Sequence, residues 1–373
     1  MLRFLTAGES HGENLIGIIE GFPAAMYLDE EFINNELERR QQGYGRSNRM
    51  KIENDKIKVL SGVNKGYTTG NPISFIIENR GNNIELVEIT KPRPGHGDLA
   101  GCLKYNHSGA RNILERASAR ETAMKVALGS LCKLFLREFH IAIYSHIIQI
   151  GNIKSNINYY NNLSLEDLKQ GDKSPVRMLD KVQEEKAIGE IEKARNTGDT
   201  LGGIMEIIAT GLPIGLGSHA HWDRKLDGKI AWGIMGIPGI KGIEFGIGFH
   251  GAEKLGSKYH DEIYYNGKFH RHTNNAGGIE AGISNGEDIV FKAIMKPIPT
   301  LKRPLRTVDL ETKEETIAQF ERSDTTAVPA ASIVAESVLA YTLMDEFLIK
   351  FGGDSMGEIK NNYENYIKNL QNR

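Results

Sequence analysis

Two segments, Ala119 to Phe139 and Ala327 to Lys350, are rich in Ala, Leu, Val and Met and carry few charges on any face. A helix that is apolar around its whole circumference cannot lie on a surface; other elements must cover it on every side. The chain is therefore expected to fold in layers, with these two helices inside and sheets outside. The second segment carries Pro329 in its first turn and stops at Gly352-Gly353, which is ordinary start and stop chemistry. Strand-like runs at Lys56 to Leu60, Ile73 to Ile77, Ile141 to Ile150, Ile204 to Ile207 and Ile289 to Met295 are separated by turn-rich stretches. They do not alternate regularly with helices, so an α+β fold with antiparallel sheets is expected rather than a doubly wound parallel sheet.

The two apolar segments end alike, Arg137-Glu138-Phe139 and Asp345-Glu346-Phe347. An internal pseudo-repeat is one reading of this; the other is that buried Ala-rich helices look alike. Residues 1–373 are expected to form one domain, with a polar excursion near 155–198 that holds one solvated helix around Lys181 to Lys193.

Charge excludes one broad class of partner. Forty-six basic and 48 acidic residues leave a formal charge of −2, so no global cationic field exists for nucleic acid, and any anion recognition must be local. Cys102 and Cys132, the two cysteines, are far apart and read as packing residues, and the amino-terminal stretch has no long apolar run. A cytoplasmic protein without membrane or metal partners is the expectation.

Arginine, whose forked guanidinium suits carboxylate and phosphate, gathers in loops. Arg39-Arg40 closes a helix and Gly43-Tyr44-Gly45-Arg46-Ser47-Asn48-Arg49 follows; Lys91-Pro92-Arg93-Pro94-Gly95-His96, then Arg111, Arg116, Arg120 and Arg322 come later. Glycine or proline beside Arg46 and Arg93 points to backbone shaped around an anionic ligand. His11 and His96 stand between small residues and supply side chains suited to general acid work near neutral pH. His219, His221, His250, His270 and His272 are weaker candidates, and their spacing does not make a metal shell. Lys296-Pro297-Ile298-Pro299-Thr300 offers a lysine and a hydroxyl on a stiff turn, suited either to a phosphate tail or to ending a strand.

Two motif matches mislead. Gly8-Glu9-Ser10-His11-Gly12 fits a nucleophile elbow, but too few residues precede it to build the sheet an elbow needs. Gly246-Ile247-Gly248-Phe249-His250-Gly251 fits a dinucleotide fingerprint, yet the following residues are polar and broken by Gly256.

Taken together, Gly8 to Gly12, Arg39 to Met50, Arg93 to Leu99, Glu115 to Ala123, Gly198 to Gly203, Gly211 to Asp227, Asn275 to Glu287 and Arg322 to Ala331 resemble the chorismate synthase family over nearly the whole chain. The resemblance implies a β-α-β sandwich of antiparallel sheets around central helices, assembled as a homotetramer. It implies reduced FMN as cofactor, with NADPH as a reductant in some members, and 5-enolpyruvylshikimate-3-phosphate as substrate of a 1,4-anti elimination of phosphate. Carried over by residue, Arg40, Arg46, Arg49, Arg93 and Arg120 resemble the substrate binders, and Arg40 and Arg46 also the nicotinamide-nucleotide contacts. His11 resembles the acid that protonates the leaving phosphate and His96 the one that protonates the flavin, the exchange of these two roles being the alternative. Asp324 resembles the carboxylate that takes the ring proton. Flavin contacts fall on Arg116, Ala117, Ser118, Pro238, Gly239, Ala281, Lys296, Pro297, Ile298, Pro299, Thr300 and Arg322. Gly97, Asn106, Ser108-Gly109, Ser47, Gly239 and Ala281 depart from the family pattern and bear chiefly on the shape of the loop from Leu103 to Arg111. A flavin reductase, or a flavin- or anion-binding protein without catalysis, are the competing readings.

Overall fold

A computed structural model describes residues 2–46, 54–80, 87–161, 163–321 and 323–372. Strands β1 (Arg3–Gly8) and β2 (Asn14–Glu20) pair antiparallel from Arg3 opposite Glu20 to Gly8 opposite Leu15. In β2, Leu15, Gly17 and Ile19 face the core and Ile16 and Ile18 face outward, the two-residue period of a half-buried sheet. Strands β3 (Ile57–Ser61) and β4 (Ile73–Glu78) complete a four-stranded sheet in the order β1-β2-β4-β3. The Gly8 to Gly12 segment thus links two antiparallel strands and is no strand-to-helix elbow.

A second sheet contains β5 (Ala142–Ile150), β6 (Ile153–Lys154), β7 (Gly203–Thr210), β8 (Ile240–Phe245) and β9 (Ile289–Met295), in the order β8-β9-β7-β5-β6. Every pairing in both sheets is antiparallel. The helices relevant to the site are α1 (Glu30–Gln41), α2 (Asp98–Tyr105), α3 (Arg111–Ala117), α4 (Thr122–Arg137), α5 (Lys181–Thr197), α6 (Leu226–Met235) and α7 (Val328–Phe351). Mixed helices and antiparallel sheets make this an α+β fold.

The two segments expected to be buried are α4 and α7. Helix α4 packs on β2 and β4, α7 packs on β5 and β7, and the helices pack on each other. Their crossing needs Gly129: a Cβ there would stand 2.4 Å from the Ser337 carbonyl oxygen. The expected helix start at Ala119 shifts, because the Ser118 hydroxyl accepts from Arg120 N and turns Ala119–Glu121 into a 3-10 segment. Helix α4 begins only at Thr122.

Charge also enters the interior. Glu336 of α7, fully buried, accepts from Lys133 Nζ at 2.5 Å, Arg39 Nη1 at 2.9 Å and Ser145 Oγ at 2.6 Å, with Arg177 Nη2 at 3.4 Å. Glu36 and Asp172 complete the group through Lys133, Arg39 and Arg177. Three cations therefore face three carboxylates where α1, α4, α7 and β5 meet.

The Gly246 to Gly251 match runs into a 3-10 turn over Gly248–Glu253 and not into an apolar helix. Among the described residues no helix is long and apolar enough to cross a membrane.

Candidate active site

Helix α1 is capped by Asp29, whose Oδ1 accepts from Phe32 N at 3.0 Å, and it carries Glu30 and Glu31 in its first turn and Arg39 and Arg40 in its last. That arrangement complements the helix dipole. Arg40 is buried: Nε donates to Thr122 Oγ1 at 3.0 Å and Nη2 to the Ala119 carbonyl at 2.9 Å. The chain leaves α1 through Gly43-Tyr44-Gly45. Gly45 has φ +91° and a Cβ there would press on Ile191 and Thr326 at 3.1 Å, so only glycine fits. Its carbonyl accepts from Thr325 N at 2.8 Å, which lays this loop beside the segment carrying Asp324. Arg46 Nη1 accordingly lies 3.1 Å from Asp324 Oδ2.

Arg120 comes to the same place from the 3-10 segment before α4. Its Nε donates to Asn79 Oδ1 at 2.8 Å and its Nη1 to Asp55 Oδ2 at 2.7 Å. The Asp55 carboxylate, with 0% of its side chain accessible, is also 3.7 Å from Arg40 Nη1. Burial, joined by the charges of Arg46 and Arg120 and opposed by Asp55 and Asp324, pushes Arg40 down to about 10. Burial is the first cause of this shift, so an incoming anion that pairs with the Arg40 guanidinium offsets the loss of water around it.

His11 borders this arginine group. Asn79 Nδ2 donates to the carbonyls of Glu9 at 3.1 Å and Gly12 at 2.7 Å, so one side chain clamps the His11 loop and receives Arg120. Ser10 N donates to the Glu115 carbonyl at 3.0 Å, and Ser118 Oγ donates to Ser10 Oγ at 3.1 Å. Glu115, in α3, receives the His11 backbone N at 2.8 Å and holds the ring Nδ1 at 2.9 Å. Burial raises the Glu115 carboxyl, but the His11 hydrogen bonds and Arg111 outweigh it and hold the group below the usual range. With Nδ1 turned to an ionised Glu115, a proton given to a ligand leaves from Nε2.

His96 is set in a parallel way. Its Nδ1 meets Asp98 Oδ1, and Asp98 also receives Arg93 Nε at 2.8 Å and Arg93 N at 3.0 Å. Burial alone would raise the Asp98 carboxyl; hydrogen bonds from His96 and Arg93 keep it well below the carboxylate range. Arg93 Nη2 also lies 3.1 Å from His96 Nδ1, but a proton on Nδ1 belongs with the ionised Asp98, so this approach is a packing contact. Arg93 Nη1 donates to Thr300 Oγ1 at 2.9 Å. Arg93 thus belongs to the His96 group and lies apart from the Arg40, Arg46 and Arg120 group. The two groups adjoin where Ser323 Oγ donates to the Thr300 carbonyl at 2.9 Å, one residue before Asp324.

Of the described segments expected to touch flavin, Lys296 to Thr300, Pro238-Gly239 and Ala117-Ser118 fall around His96. Lys296 Nζ donates to the Gly95 carbonyl, Lys296 N to the Gly239 carbonyl at 2.9 Å, and Thr200 Oγ1 to the Ile298 carbonyl at 2.7 Å. Pro297 and Pro299 stiffen this turn, and Pro238 precedes the Gly239 that accepts from Lys296 N. A Cβ on Gly97 would come within 3.9 Å of the Ala117 methyl, so the His96 loop leans on the end of α3, where Ser118 follows. Arg116 turns outward, donating to the carbonyls of Gly8 at 3.1 Å and Thr6 at 2.8 Å. Ala281 also stands apart: it tips the hairpin of Ile279–Glu280 and Ile283–Ser284, beside Gly282, whose carbonyl accepts from Leu226 N at the start of α6. Arg49 and Arg322 lie outside the described residues.

The model of the family described as chorismate synthase matches residues 2–348. The chain belongs to the chorismate synthase family. A chorismate synthase of Alkaliphilus metalliredigens (strain QYMF) is 53% identical over 380 residues, covering 98% of this chain and 99% of that one. One from Caldanaerobacter subterraneus subsp. tengcongensis is 54% identical over 372 residues, covering 98% of each. A crystal structure of chorismate synthase superposes with a TM-score of 0.83 at 41% identity, covering 100% of this chain and 99% of that one. Chorismate synthases are lyases of aromatic biosynthesis that act on a small molecule.

Within this chorismate synthase fold, several side chains of the two groups were not singled out by sequence. Asp98 carried a local signal, two residues after His96, and Glu115 lies in the Glu115 to Ala123 segment. Asp55 and Asn79 carried none: they meet Arg120 only through the fold, 65 and 41 residues away.

Proposed function

We propose that this chain catalyses the 1,4-anti elimination of phosphate from 5-enolpyruvylshikimate-3-phosphate to give chorismate, with reduced FMN as cofactor. The observation that carries the reading is the convergence of Arg40, Arg46 and Arg120 beside His11, with Arg40 pushed down to about 10 by burial first and by its fellow arginines. Such a group is prepared for a ligand bearing phosphate and carboxylates.

The residues fit a flavin phosphate as well. Burial and the neighbouring Lys241 ammonium of β8 push Lys296 below the ordinary amine value, so a second cation stands near the proline-stiffened turn. Lys296 to Thr300, Pro238-Gly239, Ala117-Ser118 and Arg116 would hold the cofactor, with Ala281 and Arg322 as further contacts by the family resemblance. When bound, reduced FMN would lend electron density to the elimination without net redox change.

The chain's own residues then divide the work. Arg40, Arg46 and Arg120, with Arg49 and Arg93 by the family resemblance, hold the anionic groups. His11, oriented by Glu115, gives a proton to the leaving phosphate, and His96, oriented by Asp98, holds a proton at the flavin side. Asp324, held by Arg46 at 3.1 Å, takes the ring proton.

The finer architecture follows the same reading: residues 1–373 as one domain, a β-α-β sandwich in which α4 and α7 share a pseudo-repeat, and a cytoplasmic homotetramer. A buried apolar cluster running from Leu2 to Ile359 supports the single domain. Outward-facing Leu5, 70% exposed, and Trp232, 82% exposed, support faces that other copies cover. NADPH would contact Arg40 and Arg46 where it serves as reductant.

The test is anaerobic turnover of purified protein with chemically reduced FMN and substrate, following chorismate absorbance and phosphate release together. Equal yields of both are expected. Flavin binding without either product would favour a non-catalytic relative, and NADPH oxidation without substrate as the main turnover would favour a reductase.

A further inference from the structure

The arginine group contains a carboxylate whose purpose is not explained by packing. Asp55 Oδ2 takes Arg120 Nη1 at 2.7 Å and lies 3.7 Å from Arg40 Nη1. Its Oδ1 and the Arg40 Nη1 are both buried and make no hydrogen bond among the described residues. A neutral amide in this place could still accept one, weaker, hydrogen bond from Arg120 and would avoid burying a charge with half its acceptor capacity unused. What an amide cannot supply is negative charge.

The charges acting on Arg40 are those of Asp55, Arg46, Arg120 and Asp324. With Arg40 itself, among the described residues three cations face two anions, a surplus of one positive charge. The reaction ends with phosphate, carrying up to two negative charges, among these arginines. Without Asp55 the surplus would double, and the group would grip the product harder while Arg40 and Arg120 lost the common partner that aims them.

We propose that Asp55 is a positioning residue that aims Arg40 and Arg120 and limits the positive charge of their site, so that phosphate is held during the elimination and then released. The proposal rests on the reading of Arg40, Arg46 and Arg120 as the phosphate-binding group.

The test uses the FMN-loaded enzyme at fixed ionic strength, with inorganic phosphate as a competitive inhibitor and circular dichroism to verify folding. Asp55→Asn should bind phosphate about ten-fold more tightly, roughly 1.4 kcal/mol, while kcat falls at least about ten-fold. Asp55→Glu, which keeps the charge and displaces it by one methylene, should lower kcat and leave phosphate inhibition within about two-fold of wild type. A merely structural role would weaken phosphate binding in Asp55→Asn along with stability. Unchanged or weaker inhibition in folded Asp55→Asn overturns the proposal, as does wild-type kcat in Asp55→Glu should Asp55→Asn not fold. Failure of the underlying reading shows elsewhere: wild type itself would resist phosphate, and Arg120→Lys would leave the substrate KM unchanged.

Discussion

Replacing Glu336 by Gln keeps shape and removes one charge from the interior. In the wild type Arg39, Lys133 and Arg177 face Glu36, Asp172 and Glu336. The variant leaves three cations against two carboxylates, around a side chain with no exposure to water. Breaking a buried ion pair from one side costs about 3–5 kcal/mol, because the partner charge stays buried. For 373 residues the unfolding entropy is about 0.8 kcal/mol/K, which converts that loss into a Tm lower by about 4–6 °C. Calorimetry at fixed protein concentration, which holds any assembly equilibrium constant, measures this. The pH dependence adds a second reading. Burial raises the Glu336 carboxyl, but Arg39, Lys133 and Arg177 hold it well below the usual range. A depressed folded pKa stabilises above the unfolded value, about 4.3, and that stability is lost as pH falls. The gap between wild type and Glu336→Gln should be full at pH 7 and shrink steadily below about pH 4. A Tm within about 1 °C of wild type at pH 7, or a gap that persists unchanged at pH 3, would refute the reasoning.

Three further outcomes are expected. Arg120→Lys loses the fork that meets Asn79 and Asp55 together, so kcat/KM should fall about 100-fold while flavin affinity, followed by fluorescence, stays the same. Glu115→Ala releases His11, and steady-state kinetics should show kcat down by about 100-fold with KM little changed. Gly129→Ala drives a methyl into Ser337 at the crossing of α4 and α7, and denaturant unfolding should show a loss of about 1–3 kcal/mol.

The layers were legible because α4 and α7 have no polar face to show to water, and that property survives any misplacement of their ends. Strands β1 and β2 are not legible, since Arg3, Thr6 and Gly8 break up the apolar residues of Arg3–Gly8, and in Asn14–Glu20 Ile16 and Ile18 face outward while Gly17 faces the core, so no apolar-polar alternation shows. The start of α4 was misread for a local reason, the competition of Ser118 for the Arg120 amide. The site divides in the same way. Arg40, Arg46, His11 and His96 announced themselves through glycine, proline and charge in short segments. The carboxylates that orient and balance them did not, because a buried Asp55 and a surface aspartate are identical in sequence until β3 and the Arg120 turn are brought together. Arg93, legible as an arginine between prolines, proved to be tied to Asp98 and Thr300 in the His96 group, an arrangement that only tertiary structure reveals.

The central claim is that the substrate phosphate enters among Arg40, Arg46 and Arg120, against His11. A crystal structure with oxidised FMN and 5-enolpyruvylshikimate-3-phosphate tests it most directly. The account predicts phosphate oxygens within hydrogen-bond distance of Arg40 Nη1 and of the Arg120 guanidinium, with His11 Nε2 facing the bridging oxygen. A phosphate seated on Arg93 and Lys296, with the Arg40 group left to other contacts, would contradict it.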